Sequence, residues 1–306
     1  MTITLSANVH IEMAVPDVQR AYALLHGRFG AGRIEQEFVA RISLPDFIEI
    51  EHVGMGEVVL QFCRPAPRER WPEAARAHVL GADIPHTGYL ARRGPCVSNL
   101  TFCVDDIANA RVLLEREGML PALLIPMSTP GRERPPGYYF TAMEQLGFDL
   151  ELTEGVLRSG GGRAPLYPAF AQPRPRFDER LGPLRRLRVA VAEIEKPLAQ
   201  LARLFGIEAT RASVGPVQGE PAMETAELTL GNLPIQYCQP LSREGRLGEF
   251  LERHGPGIYS LVFDAPGGAA PAGAEATFDA TSLRTRPALG FDIEIEPLHM
   301  ARDARA

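Results

Sequence analysis

GPCVSNLTFCV (94–104) and GPGIYSLVFDA (255–265) are two versions of one stretch, and they indicate that the chain contains an internal duplication. Three further pairs follow the same order in both halves: HIEMAVPDVQRAYALLHGRFG (10–30) with RLRVAVAEIEKPLAQLARLFG (186–206), VVLQFCRP (58–65) with LPIQYCQP (233–240), and LGFDLEL (146–152) with LGFDIEI (289–295). One pair could arise by chance, but four in the same order predict a repeated domain.

The length of 306 residues agrees with two domains of about 150 residues each. We expect an N-terminal domain at 1–154 and a C-terminal domain at 184–306. The segment between them, 155–183, is rich in Gly and Pro and is therefore predicted to be an exposed linker.

Composition excludes several classes of protein. With 32 basic and 38 acidic residues and a net charge of −6, the chain has no basic stripe for nucleic acid. No apolar run approaches the ~20 residues of a membrane span, and the first residues do not resemble a signal peptide. We expect a soluble, cytoplasmic protein whose partner is a small molecule, and a homodimer is left open.

Residue usage removes two further kinds of site. Lys196 is the only lysine and lies where a helix is predicted to begin, which argues against Schiff-base chemistry and a phosphate-binding P-loop. The four cysteines contain no CxxC and match no zinc ribbon, so we interpret them as reduced core thiols.

Each half reads as a unit of one strand, one helix and three strands, repeated once. NVHIEMAV (8–15) alternates like a strand, and PDVQRAYALLHGRFG (16–30) has helical spacing. VSNLTFCV (97–104) and DDIANARVLLEREGM (105–119) open the second unit in the same way, with Asp105 or Asp106 as the helix cap. In the C-terminal half the last helix is replaced by APGGAAPAGAEA (265–276), where we expect a loop.

These units, with the VDDIANARVLLEREGM and GFDLELTE motifs, resemble the vicinal oxygen chelate superfamily, which includes glyoxalase I, methylmalonyl-CoA epimerase, extradiol dioxygenases and bleomycin-resistance proteins. The resemblance implies an α+β fold of two domains, in which paired β-α-β-β-β units form a cupped sheet. It also implies a divalent metal ion inside a cup. It does not define the reaction, because one fold supports many chemistries.

Strand alternation predicts which side chains could enter the first cup. If the apolar positions face the helices, His10, Gln61, Asn99 and Glu151 face the other side of four strands. The closest motif resemblance is to methylmalonyl-CoA epimerases, which implies His10, Gln61 and Glu151 as metal ligands, with Asn99 in place of a second His. Such a set favours Mn²⁺, Co²⁺, Mg²⁺ or Fe²⁺ over Zn²⁺, although the ion is not identified.

A general base is predicted among three carboxylates. Glu49 and Glu51 share one strand face, near the place of the epimerases' catalytic Glu, and Glu12 lies two residues from His10. A carboxylate crowded by another would have its pKa raised towards neutrality, as a base requires. The alternative is that Glu49 and Glu51 form the solvated face of an edge strand.

The second cup differs in the corresponding residues. Arg186 replaces His10 and Ser260 replaces Asn99, whereas Gln236 and Glu294 are retained. A guanidinium beside Glu294 would repel a divalent cation, so we expect an ion pair and no metal there.

The sequence therefore favours an isomerase, epimerase or lyase that acts through a metal-stabilised enolate on a small oxygenated acid, thioester or carbonyl compound. One alternative is a non-catalytic ligand-binding protein of the bleomycin-resistance kind. The other is an extradiol-type dioxygenase, against which Asn99 counts because such enzymes use two His and one carboxylate.

Overall fold

The computed structural model describes residues 2–34, 44–127, 135–155, 181–216, 221–265, 275–276 and 281–296. Most of the predicted linker 155–183 and of the loop predicted at 265–276 lies outside these residues. The boundaries of the two domains therefore stay predictions. No helix in the described ranges is long and apolar enough to span a bilayer.

The chain forms two eight-stranded mixed sheets with the same strand order. The first runs β2-β3-β4-β1-β5-β8-β7-β6 and the second β10-β11-β12-β9-β13-β16-β15-β14. The strands of the first sheet are β1 (Leu5–Ala14), β2 (Gly32–Arg33), β3 (Ile48–Met55), β4 (Val58–Pro65), β5 (Cys96–Val104), β6 (Pro121–Ile125), β7 (Gly137–Phe140) and β8 (Asp149–Glu154). Those of the second are β9 (Leu184–Ala190), β10 (Thr210–Val214), β11 (Met223–Leu230), β12 (Leu233–Pro240), β13 (Gly257–Asp264), β14 (Glu275–Ala276), β15 (Thr281–Leu283) and β16 (Asp292–Glu296).

This shared order confirms the predicted duplication and the α+β fold of cupped sheets. VVLQFCRP forms β4 and LPIQYCQP forms β12, and the two strands occupy equivalent places in their sheets. In both sheets the first and fourth strands of one unit pair in parallel, and the first strand also pairs antiparallel with the next unit.

Three helices lie where the repeated units predict them. They are α1 (Val18–Phe29), α4 (Ile107–Arg116) and α6 (Glu195–Phe205). The first two begin after Asp17 and Asp106, whose carboxylates each accept a hydrogen bond of 2.9 Å from a backbone N–H in the first turn. The apolar side chains of α1 and α4 form one stripe on each helix and pack on the sheet, as their spacing predicts.

Two helices were not predicted, and they lie at equivalent places just before β5 and β13. These are α3 (Pro85–Arg93) and α7 (Gly245–His254). The remaining helical pieces are short: a 3₁₀ turn at Arg68–Arg70, α2 (Glu73–Arg76), α5 (Met143–Leu146) and α8 (Arg286–Leu289). Because α3 packs on the cup side of the first sheet, it adds side chains to the cup that strand periodicity cannot reveal.

Side chains alternate across β1, as a strand in a covered sheet requires. Ile11 and Met13 are fully buried in the main core, which lies between the sheet and its helices. His10 and Glu12 point to the other face, into the cup, where they are also buried.

Candidate metal centre

The first cup gathers polar side chains from six elements. They are His10 and Glu12 on β1, His52 on β3, Gln61 on β4, Asn99 and Thr101 on β5, Glu151 on β8 and His86 on α3, and all of them are buried. The four predicted metal ligands are therefore on the predicted face of their strands.

Strand register arranges these groups in two rows. In one row His10 lies opposite Thr101, which lies opposite Glu151. In the next row Glu12 lies opposite both Gln61 and Asn99. Asn99 therefore does not share the row of His10 and Glu151. β1 shifts register beside β5 on both sides of this region, and a motif comparison does not detect such a shift.

One nitrogen of His10, one carboxylate oxygen of Glu12 and one of Glu151 all lie within 4.8 Å of one another. Two ligand bonds of ~2.0–2.2 Å span at most about 4.4 Å, so side-chain shifts of a few tenths of an ångström would bring all three atoms within reach of one ion. Among the described residues, a second group with the same spacing consists of Glu12, Cys63 and His86. The first group contains two of the four predicted ligands and Glu12, which was predicted as a base.

Glu12 is the acceptor on which the hydrogen bonds of the cup converge. Its Oε1 accepts hydrogen bonds from His86 Nε2, from Asn99 Nδ2 and, at 3.1 Å, from Ser98 Oγ. Its Oε2 accepts one from Gln61 Nε2. These donors come from α3, β4 and β5, so the carboxylate holds three elements of the cup together.

This environment makes Glu12 a poor general base, which corrects the sequence prediction. Burial is the largest single influence and raises the pKa of Glu12, but the attraction to His86, the hydrogen bond from it and smaller effects of His10 and Cys63 together outweigh burial and lower the pKa to about 2. The carboxylate is therefore ionised, and its affinity for a proton is low at neutral pH. Crowding by another carboxylate was predicted to have the opposite effect.

A second chain of hydrogen bonds defines the state of His10. Because the Asn99 amide donates to Glu12, its Oδ1 accepts, and it does so from Thr101 Oγ1 at 3.0 Å. Thr101 Oγ1 then accepts from His10 Nε2 at 2.8 Å. The lone pair of His10 is left on Nδ1, which is buried and has no hydrogen-bond partner among the described residues. Burial, with His52 nearby, lowers the pKa of His10 to about 3, so the ring is neutral.

Glu151 has the opposite environment to Glu12. It is 5% exposed and lines the cavity, and no residue in the described ranges donates a hydrogen bond to it or pairs with it. Burial and the charge of Glu12 raise the pKa of Glu151 well above its usual range. A bare buried carboxylate beside an ionised one and a neutral imidazole fits a site for a divalent cation, because the cation would compensate the charge and use the lone pairs.

Glu49 and Glu51 are outside this site, which corrects their prediction as bases. They lie on the face of β3 opposite Ile48, Ile50 and His52, which line the cavity. Glu49 forms an ion pair with Arg64 at 2.7 Å, and Glu51 forms one with Arg33 at 3.4 Å. The alternative prediction, a polar outer face of a strand near the sheet edge, describes them better.

Sequence reasoning missed two histidines of the cup. His52 was not among the predicted ligands, and its Nε2 donates to Gln61 Oε1 at 2.5 Å. Burial lowers the pKa of His52 to about 4. His86 was assigned no role, because it lies on a helix that no periodicity indicated. Strand alternation could have placed the His52 side chain on the same face of the sheet as that of Gln61. No signal in the sequence points to His86.

A cavity of about 240 Å³ opens above these groups. Its floor contains the polar side chains, and most of its walls are apolar. The wall includes Phe47, Ile48, Ile50, Ile84, Leu123 and Ile125. A small molecule in this cavity would contact the polar floor at one end and hydrocarbon elsewhere.

The second cup has the same strand positions with reversed charge. Arg186 occupies the place of His10, Arg188 that of Glu12, and Glu294 that of Glu151. Arg188 forms an ion pair with Glu294, and its Nε donates to Gln236 Oε1 at 2.9 Å. The predicted ion pair is therefore present, and Arg188 forms it, while Arg186 pairs with Glu296.

No known protein family matches the sequence, and no curated protein matches it. Solved structures do match the fold. A triple mutant of 4-hydroxymandelate synthase from Streptomyces coelicolor has a TM-score of 0.57 at 20% identity, over 85% of this chain and 71% of that one. A fusion of a xylose isomerase-like TIM barrel with a 4-hydroxyphenylpyruvate dioxygenase has a TM-score of 0.52 at 15% identity, over 87% of this chain and 38% of that one. A hypothetical protein from Staphylococcus aureus has a TM-score of 0.53 at 11% identity, over 97% of this chain and 100% of that one.

This chain therefore shares the fold of these solved structures, with two cupped sheets built from the same units. The closer resemblance to methylmalonyl-CoA epimerases stays a prediction. At these identities the likeness shows the fold alone, and the chemistry has to be argued from the site.

Proposed function

We propose that this chain is a divalent-metal-dependent dioxygenase whose active site is the first cup. His10 and Glu151 would hold the ion, and Glu12 would be the third protein ligand. The observation that carries the proposal is the buried carboxylate of Glu151, which has no partner among the described residues and lies beside the ionised Glu12 and the His10 Nδ1, which also has no described partner.

The donor set supports a hard or borderline ion. One imidazole and two carboxylates suit Fe²⁺, Mn²⁺ or Co²⁺, and three protein ligands leave an octahedral ion open to a bidentate substrate. A ferrous ion in this place supplies one-electron exchange with dioxygen, for which protein side chains have no equivalent. Asn99 counted against a dioxygenase because it replaced a second His. In the structure Glu12 takes the third place beside His10 and Glu151, so the proposed donor set has one imidazole and two carboxylates and differs from the set of two imidazoles and one carboxylate.

The residues of the chain prepare this site in two ways. The hydrogen bonds that converge on Glu12 fix the orientation of Gln61 and His86 and, through Asn99 and Thr101, of His10. The apolar walls exclude water, and such surroundings favour dioxygen, which is itself apolar.

In the proposed reaction a C–C bond at or beside two oxygen-bearing carbons breaks. Both atoms of dioxygen enter the organic products or carbon dioxide, and the substrate supplies all four electrons, so no other reductant takes part. The dioxygenase named among the similar structures supports this class of reaction over proton abstraction. The loss of all three predicted bases does so too, because Glu12 has a lowered pKa and Glu49 and Glu51 lie outside the cavity.

A second candidate is the enolate isomerase or lyase that the sequence favours. One contact supports it: His86 lies against Glu12 in the cavity wall, and its Nδ1 is buried without a partner among the described residues. Such a pair could take up a proton from a substrate carbon.

Oxygen uptake separates the two candidates. The protein is loaded with Fe²⁺ without oxygen and given 4-methylbenzene-1,2-diol or 4-methyl-2-oxopentanoate, and ¹⁸O₂ is then admitted. We expect oxygen consumption with both labelled atoms in the products, and its loss in Glu151→Gln but not in Glu49→Gln. Exchange of substrate hydrogen with heavy water, without oxygen uptake, would replace the dioxygenase with the isomerase.

A further inference from the structure

The polar and apolar parts of the cavity are largely separated. His10, Glu12 and Glu151 form the floor with Gln61 and His52, and the walls come from β3, β6 and the segment before α3. Ile48 and Ile50 project from β3, Ile125 and Leu123 from β6, and Ile84 precedes α3. Of the other polar lining residues, His86 donates to Glu12 and Tyr139 to Asp149. Apart from His78, a bound molecule therefore meets mainly hydrocarbon away from the floor.

The described part of the wall offers no guanidinium or ammonium group for a second charge. None of the described lining residues is Arg or Lys, and His78 is the ionisable side chain among those that line the cavity away from the floor. Two described arginines on neighbouring strands are engaged elsewhere, since Arg33 pairs with Glu51 and Arg64 with Glu49 on the outer face of β3. An anionic group placed against the apolar walls would lose its hydration and gain no guanidinium or ammonium partner.

The volume limits the size of the molecule. About 240 Å³ equals the liquid volume of roughly eight water molecules at ~30 Å³ each. A single six-membered ring with two oxygen substituents has this number of non-hydrogen atoms, and so has a short branched chain. A long or doubly charged molecule does not fit this combination of volume and wall chemistry.

We infer that the substrate is a compact apolar molecule whose only charged or polar part is the pair of neighbouring oxygens at the cavity floor. This inference rests on the proposed function, because the floor is where the proposed ion would bind that pair. The apolar body, of about one ring, would lie between β3, β6 and the segment that leads into α3.

Two matched pairs of probes test this inference by isothermal titration calorimetry on Mn²⁺-loaded protein without oxygen. The first pair is 4-methylbenzene-1,2-diol and 3,4-dihydroxybenzoate, which differ in a methyl group or a carboxylate far from the two oxygens. The second is 4-methyl-2-oxopentanoate and 2-oxoglutarate, which differ likewise at the far end. We expect the apolar member of each pair to bind at least about tenfold more tightly.

A cation added to the wall should reverse the preference. Ile125→Arg, at a half-buried position of the wall, should favour 3,4-dihydroxybenzoate over its methyl analogue. Leu120→Arg is the matched control, because Leu120 is 60% exposed just before the same strand and should leave the wild-type preference unchanged. If Ile125→Arg does not fold, Ile50→Arg on the facing strand provides the same test.

Three outcomes would count against the inference. Equal or tighter binding of the carboxylate members by wild type would overturn it and leave the metal site intact. Failure of all four probes to bind while Mn²⁺ is bound would overturn it as well. Failure of Mn²⁺ itself to bind would overturn the proposed function, and the inference with it.

Discussion

The two cups share one strand order, yet they balance the same buried glutamate in different ways. In the second cup Glu294 is fully buried and forms an ion pair with Arg188, which also donates to Gln236. In the first cup the equivalent Glu151 has no such partner in the described structure, because Glu12 replaces the arginine.

This difference indicates which cup has kept space for a ligand. A cup whose carboxylate is neutralised by its own arginine is electrostatically complete, and its polar groups stabilise the fold. A cup with two carboxylates and an unpartnered imidazole nitrogen is complete only when a cation is added. The same strand position is acidic in the first cup, where it is Glu12 on β1, and basic in the second, where it is Arg188 on β9. This reversal of charge distinguishes the candidate active site from the supporting domain.

The largest effect is expected from removing the arginine of the second cup. Arg188→Met removes the buried guanidinium that pairs with Glu294, whereas Glu296 keeps Arg186, and the substitution should lower the free energy of unfolding by about 3–5 kcal/mol. Urea denaturation measures this. Arg185→Met is the matched control, since Arg185 is 38% exposed and its partner Glu296 keeps Arg186, so the loss should be about 1 kcal/mol or less. Equal effects of the two substitutions would contradict a special role for the buried ion pair.

Placing the second cup's residues in the first should abolish metal binding. In the double variant Glu12→Arg with Asn99→Ser, the new guanidinium should pair with Glu151 as Arg188 pairs with Glu294. We expect the affinity for Mn²⁺ to fall by at least about a hundredfold, because a fixed positive charge replaces a negative one at the site. Asn99→Ser alone is the control and should bind Mn²⁺. Circular dichroism checks that the double variant is folded, and retained Mn²⁺ affinity in a folded variant would argue against this site.

Glu151→Gln should stabilise the metal-free protein, and more so as the pH rises. The folded-state pKa of Glu151 is raised, so its stabilising protonation is fully present below pH ~4.5 and is lost as the pH rises through the folded pKa. Glutamine does not ionise, so the variant avoids this loss. We expect an advantage of about 1–3 kcal/mol at the alkaline end, measured by thermal unfolding with chelator between pH 5 and pH 8.

Added Mn²⁺ should reverse that order, because it stabilises only the wild type. Glu49→Gln provides the control, and its difference from the wild type should not follow the same slope with pH. A constant difference between Glu151→Gln and wild type over this range would mean that Glu151 ionises normally.

The smallest effects are expected outside the cup. Glu49→Gln and Glu51→Gln each remove an ion pair with a partly exposed arginine and should change the free energy of unfolding by about 1 kcal/mol or less. Both variants should retain wild-type Mn²⁺ affinity and oxygen uptake. A large loss of oxygen uptake in either one would restore it as a catalytic candidate.

The architecture was predictable because it depends on local patterns that occur twice. Strand alternation and helix caps define each unit, and the four repeated stretches place the units in order. The helices α3 and α7 were not predicted because the segments before them carry Gly, Pro and charged residues that are typical of loops. His86 was missed for the same reason.

The sequence predicts correctly which side chains of a strand face the cup, except where apolar side chains line the cup. On β1 the rule that polar side chains face the cup is correct for His10 and Glu12. On β3 it is wrong, since Ile48 and Ile50 line the apolar cavity and Glu51 lies on the face away from it. Alternation alone establishes that two residues share a face, but not which face is covered.

The acidity of Glu12 could not be predicted from its neighbours in the sequence. Its low pKa depends on His86, and its other hydrogen-bond donors include Gln61 and Asn99, which lie on different strands. Only the folded arrangement brings these donors together. Proximity to a second carboxylate was the wrong guide, because its effect appears at Glu151.

The most direct test of the account is a titration of the chelator-treated protein with Mn²⁺, followed by electron paramagnetic resonance. It compares the wild type with two matched variants, Glu151→Gln in the first cup and Glu294→Gln in the second. We predict one bound ion per chain in the wild type and in Glu294→Gln, and an affinity lower by at least about a hundredfold in Glu151→Gln. Unchanged affinity in Glu151→Gln, or loss of the ion in a folded Glu294→Gln, would contradict the assignment of the metal centre to the first cup.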